Sequence, residues 1–114
     1  MSPILANLLK LIGSPRDGAL LRYSIGNEYL KQDDPINASL HLREALQRDP
    51  KFSAAWKLLG KTLAESGRAK EAIDTYREGI VVAEARGDLQ AAKEMKVYLR
   101  RLEKQLPKPG EDAQ

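Results

Sequence analysis

Trp56-Lys57-Leu58-Leu59-Gly60-Lys61-Thr62-Leu63, a Ser66-Gly67 break, and then Ala72-Ile73-Asp74-Thr75-Tyr76 form the stretch on which the fold turns. Large and small apolar residues recur on either side of the break at the three-to-four spacing of a helix face. Two helices folded back on each other satisfy that pattern. The same spacing occurs thirty-four residues earlier, counting back from Gly60 to Gly26.

Sliding the chain along itself by that offset pairs Ile25 with Leu59, Gly26 with Gly60, and Tyr29 with Leu63. It also pairs Ala38 with Ala72, Leu42 with Tyr76, and Ala45 with Gly79. The small residues carry the packing argument. Gly26 and Gly60 are expected to face Ala38 and Ala72 where paired helices approach most closely, and Trp56, Leu59, Leu63 and Tyr76 to fill the space around that contact.

Working outward, residues 19–31 read as a helix that Gln32-Asp33-Asp34-Pro35 ends. Asp34 is placed as the N-cap of the next helix, with Pro35 in its first turn. That helix carries Ile36, Ala38, Leu42, Ala45 and Leu46 until Asp49-Pro50 stops it. Residues 53–65 repeat the first helix, Gly67 permits a left-handed turn, and residues 69–86 repeat and overrun the second.

The flanks differ. Ile4, Leu5, Leu8, Leu9 and Ile12 predict an apolar helix over residues 3–12, started by Pro3 and followed by a loop from Gly13 to Gly18. This helix is expected to cap the helices after it, with docking to a partner or second protomer as the other reading. After Gly87, Asp88 is a cap for a helix whose stripe is Leu89, Ala92, Met95, Leu99, Leu102 and Leu106. Pro107-Lys108-Pro109-Gly110 should end all order. The expected organisation is therefore 1–18 N-terminal helix and linker, 19–52 first repeat, 53–86 second repeat, 87–106 capping helix and 107–114 disordered tail.

Composition narrows the function. With no cysteine and one histidine, His41, disulfides, thiolate sites and histidine metal clusters are excluded. Aromatics make up 5% of the 114 residues, so the core must be mainly aliphatic, which suits helix-on-helix packing. No apolar run approaches the roughly 20 residues of a membrane helix, and no basic residues precede the N-terminal apolar stretch as in a secretory signal. A soluble, cytoplasmic protein is expected. The formal net charge of +3 is too small to indicate nucleic acid as a partner.

The period and residue classes resemble those of the tetratricopeptide repeat, whose pattern is W-x2-L-G-x2-Y, A-x3-F and a closing proline. Trp56, Leu59, Gly60, Leu63, Ala72 and Tyr76 carry it here, and Pro50 closes the first unit. There are departures. Arg22 stands in the first unit where Trp56 stands in the second, so the first helix should be anchored less deeply. Glu84 replaces Pro50, letting the last helix run on towards Arg86. Lys93 occupies the small-residue position after Gly87, as in the polar-backed caps such arrays require.

The resemblance implies an all-α, right-handed superhelix of antiparallel helix pairs that binds proteins without cofactor or catalysis. Its groove positions fall on Tyr23, Asn27, Leu30 and Lys31 in the first unit and on Lys57, Lys61, Ala64 and Glu65 in the second. Asn27 stands where relatives that clamp a C-terminal carboxylate place an asparagine. The clamp's basic positions fall on Tyr23, Asp88 and Ala92, which do not serve it. Two repeats are fewer than the three or so usually needed for a stable stack, so the end helices must close the core, with a monomer favoured over a weak homodimer.

Elsewhere the chemistry is sparse. Lys93, Lys96, Arg100, Arg101 and Lys104 suit the C-terminal half of a helix by its dipole, the rival being an electrostatic patch for nucleic acid or an acidic protein. His41, one residue before the packing position of Leu42, is expected to face solvent. No nucleophile–base set, phosphate loop or metal spacing is present. The expected function is a small adaptor that presents a groove to a partner's segment. The alternatives are self-assembly through residues 3–12 and a nucleic-acid accessory using residues 93–104.

Overall fold

In the computed structural model, which describes residues 2–106, three of the six helices start at side chains that satisfy free backbone N–H groups. Ser2 Oγ accepts from the Leu5 N–H at 3.1 Å and starts α1 (Pro3–Leu9). After α2 (Ala19–Lys31), the Asp34 carboxylate accepts from the Asn37 N–H at 3.1 Å and starts α3 (Pro35–Arg48). The Asp88 carboxylate does the same for the Ala91 N–H at 3.3 Å at the start of α6 (Leu89–Gln105). Between lie α4 (Ser53–Glu65) and α5 (Ala69–Arg86). The described residues contain no strand.

The turns follow the same repeat. Gly67, with φ of +77°, lets the chain leave α4 in the left-handed region. Thirty-four positions earlier Asp33 takes that conformation, with φ of +55°, an uncommon place for a side chain that aspartate tolerates better than most.

Each helix packs mainly on its chain neighbours: α2 on α3, α3 on α4, α4 on α5 and α5 on α6. The main core runs from Leu42 and Ala45 through Leu59, Leu63, Ala72 and Tyr76 to Ala92 and Met95. The close approaches expected at the glycines occur, but against larger partners. A Cβ on Gly26 would lie 2.9 Å from Leu42 Cγ and 3.2 Å from the Ala38 carbonyl, while one on Gly60 would enter the Tyr76 ring. Gly79 repeats the device against Met95 Sδ and Trp56 Cβ, each 2.7 Å from its absent Cβ. Trp56 lies half-buried, its Nε1–H donating to the Pro50 carbonyl at 2.8 Å.

Both ends are covered. Leu5 of α1 is 1% exposed and forms a second cluster with Leu21 and Ile25, against which Leu8, Leu9, Leu11 and Tyr29 pack. The helix is shorter than expected, ending at Leu9 rather than residue 12, and Ile4 and Ile12 stay exposed. At the other end, α5 overruns α3 by a full turn. As a result α6 starts thirty-six residues after α4, whereas α4 starts thirty-four after α2.

That two-residue shift corrects several assignments. Met95 takes the place of Leu59, and the position of Gly60, which falls on Glu94 at an offset of thirty-four, falls on Lys96; Lys93, expected at the small-residue position, holds it in neither register. Both lysines are exposed on a face where, among the described residues, no further helix packs. Leu89, expected in the buried stripe, is 69% exposed in the first turn of α6, while Ala91 joins Ala92, Met95 and Leu102 inside. The tail expected to be disordered, 107–114, lies outside the described residues.

Arg22 is not the weak anchor that loss of the tryptophan implied. Its Nε and Nη2 donate to the Asp17 carboxylate at 2.8 and 3.0 Å, and both side chains are nearly buried. The Gly13 N–H donates to the same carboxylate at 2.9 Å, and Arg48 Nη2 lies 3.7 Å away. A charge-assisted fork therefore ties the 13–18 loop across the first helix pair. His41 is also corrected. It lies half-buried, stacked on Tyr29 with ring centroids 5.5 Å apart, and Arg22 Nη1 sits 3.3 Å from its Nδ1. Burial, with the neighbouring Arg22 charge, lowers its pKa.

The Arg22 hydrogen bonds, followed by that from Gly13, hold the Asp17 carboxyl well below the usual carboxylate range. A depressed native pKa stabilises the fold above the unfolded value of about 4 and is lost as pH falls through the native one. Acidification below about pH 4 should therefore lower the melting temperature of the natural chain more than that of Asp17→Asn, measured by circular dichroism across pH. Equal acid sensitivity would show that the fork carries no stability.

Candidate functional site

The concave side of the stack is lined by α2, α4 and α6. Between the C-terminal halves of α2 and α4 lies a hollow of about 460 Å³. Asn27, Leu30 and Lys31 border it from α2, Leu58, Lys61 and Glu65 from α4, and Asp33 and Pro35 close one end. A second hollow of about 240 Å³ opens between α4 and α6. Its α4 wall is Lys61, Ala64 and Glu65, its α6 wall is Tyr98, Arg101, Leu102 and Gln105, and Tyr76 of α5 reaches it from beneath. Lys61 and Glu65 border both hollows, so the two make one groove astride the middle helix.

Five of the positions that the family pattern placed in the groove meet here: Asn27, Leu30, Lys31, Lys61 and Glu65. Lys31 is engaged with Glu28 at 3.0 Å. Lys61 makes no salt bridge among the described residues and is exposed. Ala64 lies in the α4–α6 wall.

Tyr23 and Lys57 fall elsewhere. The Tyr23 ring packs on Phe52 with centroids 4.9 Å apart, joining the first repeat to the start of the second. Lys57 Nζ donates to Glu94 Oε2 at 2.7 Å and bridges α4 to α6. That hydrogen bond raises the lysine pKa and, with help from Gln90, lowers that of Glu94. Lys57 is a strut across the groove rather than a free cation.

Asp88 and Ala92, the remaining clamp positions, are respectively a helix cap and a buried core residue. Two positions further on, in the register that α6 adopts, stand Gln90 and Glu94, also not basic. Of the basic cluster, Lys96 pairs with Glu84 at 3.0 Å. Arg101 turns into the groove, while Lys93, Arg100 and Lys104 stay on the exposed face of α6.

Leu58, Tyr98, Arg101 and Gln105 are groove residues that the repeat pattern alone did not single out. The last three belong to the helix displaced by two residues, where a thirty-four-residue offset reads the wrong positions. Among the described residues no group of three acidic, histidine or cysteine side chains is gathered as a metal would require. No helix among them is long and apolar enough to cross a membrane.

Comparison with known proteins agrees with this geometry. A tetratricopeptide repeat family model matches residues 29–95. A TPR repeat-containing protein of Pseudomonas aeruginosa is 40% identical over 101 residues, spanning 89% of this chain and 96% of that protein. The solution structure of a Bordetella parapertussis protein superposes with a TM-score of 0.79 at 39% identity, covering 92% of this chain and 91% of the other. A tetratricopeptide repeat domain protein from Salinibacter ruber, also solved in solution, gives 0.72 at 30% identity, covering 76% and 88%. The chain belongs to the tetratricopeptide repeat family.

Proposed function

We propose that this protein is a non-enzymatic adaptor that receives a peptide segment of a partner protein in the groove formed by α2, α4 and α6. The tetratricopeptide repeat is generally a protein–protein interaction module, and the groove supplies a specific place for that role. The observation that carries the reading is the pair of hollows meeting at Lys61 and Glu65. A segment laid across α4 would enter both, burying apolar atoms on Leu30, Leu58 and Tyr98 while meeting charge at the centre.

Lys61 is the position to test, because reversing Lys57 would break the Glu94 strut and confuse folding with binding. Lys61→Glu should keep the helical spectrum and melting temperature of the natural chain. Partners recovered with the natural chain in an affinity pull-down should be lost or reduced several-fold with the variant. Unaltered capture would move the site off this groove.

The two alternatives lack a comparable observation. The N-terminal helix buries Leu5 within its own chain, which leaves less apolar surface for self-assembly. The basic face of α6 has part of its charge neutralised by the Lys96–Glu84 pair.

A further inference from the structure

The α4–α6 hollow differs from its neighbour in what lies at its floor. Tyr76 is 2% exposed as a residue, yet it borders the hollow. Its hydroxyl makes no hydrogen bond among the described residues and is not a buried unpartnered group, so its oxygen is open to the hollow. Its ring is fixed from behind by Gly60 and faces the Tyr98 ring at 5.8 Å. Around the rim, neither Lys61 nor Arg101 lies within salt-bridge reach of an acid among the described residues. The one carboxylate that borders the hollow is Glu65. Acids on neighbouring turns are already engaged, Glu94 by Lys57 and Glu103 by Arg77. Three donors, two of them cations, thus surround a largely apolar pocket with room for about one side chain.

We infer that this hollow receives a single glutamate or aspartate side chain from an otherwise apolar partner segment. The carboxylate accepts from Arg101, Lys61 and the Tyr76 hydroxyl, and the flanking apolar residues lie on Tyr98 and Leu102. The inference rests on the groove reading above and names the chemistry of its partner. The site is distinct from the positions by which relatives clamp a C-terminal carboxylate, since Tyr23, Asp88 and Ala92 take no part in it. Specificity arises from charge-assisted hydrogen bonds, which are stronger than neutral ones. Glu65 opposes the incoming carboxylate and keeps affinity moderate.

The test uses the full chain, isotopically labelled, titrated by NMR with the blocked peptide acetyl-Ala-Leu-Glu-Leu-Ala-amide and with its glutamine counterpart. The glutamate peptide should shift signals from residues 61–65, 76 and 98–105, and the glutamine peptide should bind about tenfold more weakly. Arg101→Gln should lose a similar factor. Tyr76→Phe, which keeps the ring packing, should bind more weakly without melting earlier, and Glu65→Gln should bind more tightly. Equal affinity for the two peptides overturns the inference. So does stronger binding of a glutamine peptide with a free C-terminus, which would assign the site to a terminal carboxylate. Shifts centred on Asn27, Leu30 and Leu58 would overturn it while leaving the groove reading intact. Absence of any concave-face shift would dispose of both.

Discussion

Gly60→Leu should abolish the cooperative thermal transition, followed by far-ultraviolet circular dichroism, and Gly60→Ala should already lower stability by about 1–3 kcal/mol. The alanine figure is net of the roughly 1 kcal/mol that replacing a helical glycine gains by propensity. The cause is local. A Cβ at this position would lie 2.7 Å from both Cδ1 and Cζ of Tyr76, inside the ring's own contact distance. The ring is 2% exposed and cannot swing aside without opening the core between α4 and α5. Leucine multiplies the conflict at the contact that closes the second repeat, against a total stability of about 5–15 kcal/mol. Gly26→Ala is the instructive comparison. Its nearest obstacle is Leu42 Cγ at 2.9 Å, a branched aliphatic chain with other rotamers, so it should cost less than Gly60→Ala. An unchanged melting temperature for Gly60→Leu would falsify the packing scheme.

Met95→Ala should destabilise the chain by about 2–5 kcal/mol, the usual range for truncating a large buried aliphatic side chain. Met95 is fully buried, and its sulfur fills the notch left by Gly79 beside Trp56. It is thus the peg that fastens α6 to the second repeat, and among the described residues no further helix packs behind it. The loss should be uneven. Amide hydrogen exchange should accelerate first along α6, with α2 and α3 retaining protection until the global transition. Uniform loss of protection would mean that the cap is not a separable unit.

The sequence made the repeat legible because the repeat is local. The Asp34 and Asp88 caps and the Gly67 turn each act within a few residues, and Gly26 and Gly60 meet the next helix of their own pair, so all of them appear where the pattern put them. The misplacements have a common origin in features set between helices. Two extra residues between α4 and α6 place Lys96, not Glu94, at the glycine position. The Lys57–Glu94 strut spans thirty-seven positions and exists only in that shifted register. His41 was read from its own helix alone, and its actual neighbours, Tyr29 and Arg22, lie on another. Half of the groove was readable from the family pattern on α2 and α4. The α6 wall was not, because the pattern no longer applies there.

The packing of each helix on the next has a kinetic consequence. Contacts between neighbours in sequence close short loops, and chains dominated by them fold within microseconds to milliseconds. The contact between α4 and α6 skips a helix and must wait for α5 to dock on both. The Tyr76–Tyr98 hollow lies across that junction, so it should be among the last parts of the molecule to assemble. Its opening and closing would then report the fraying of a terminal helix rather than the unfolding of the whole chain.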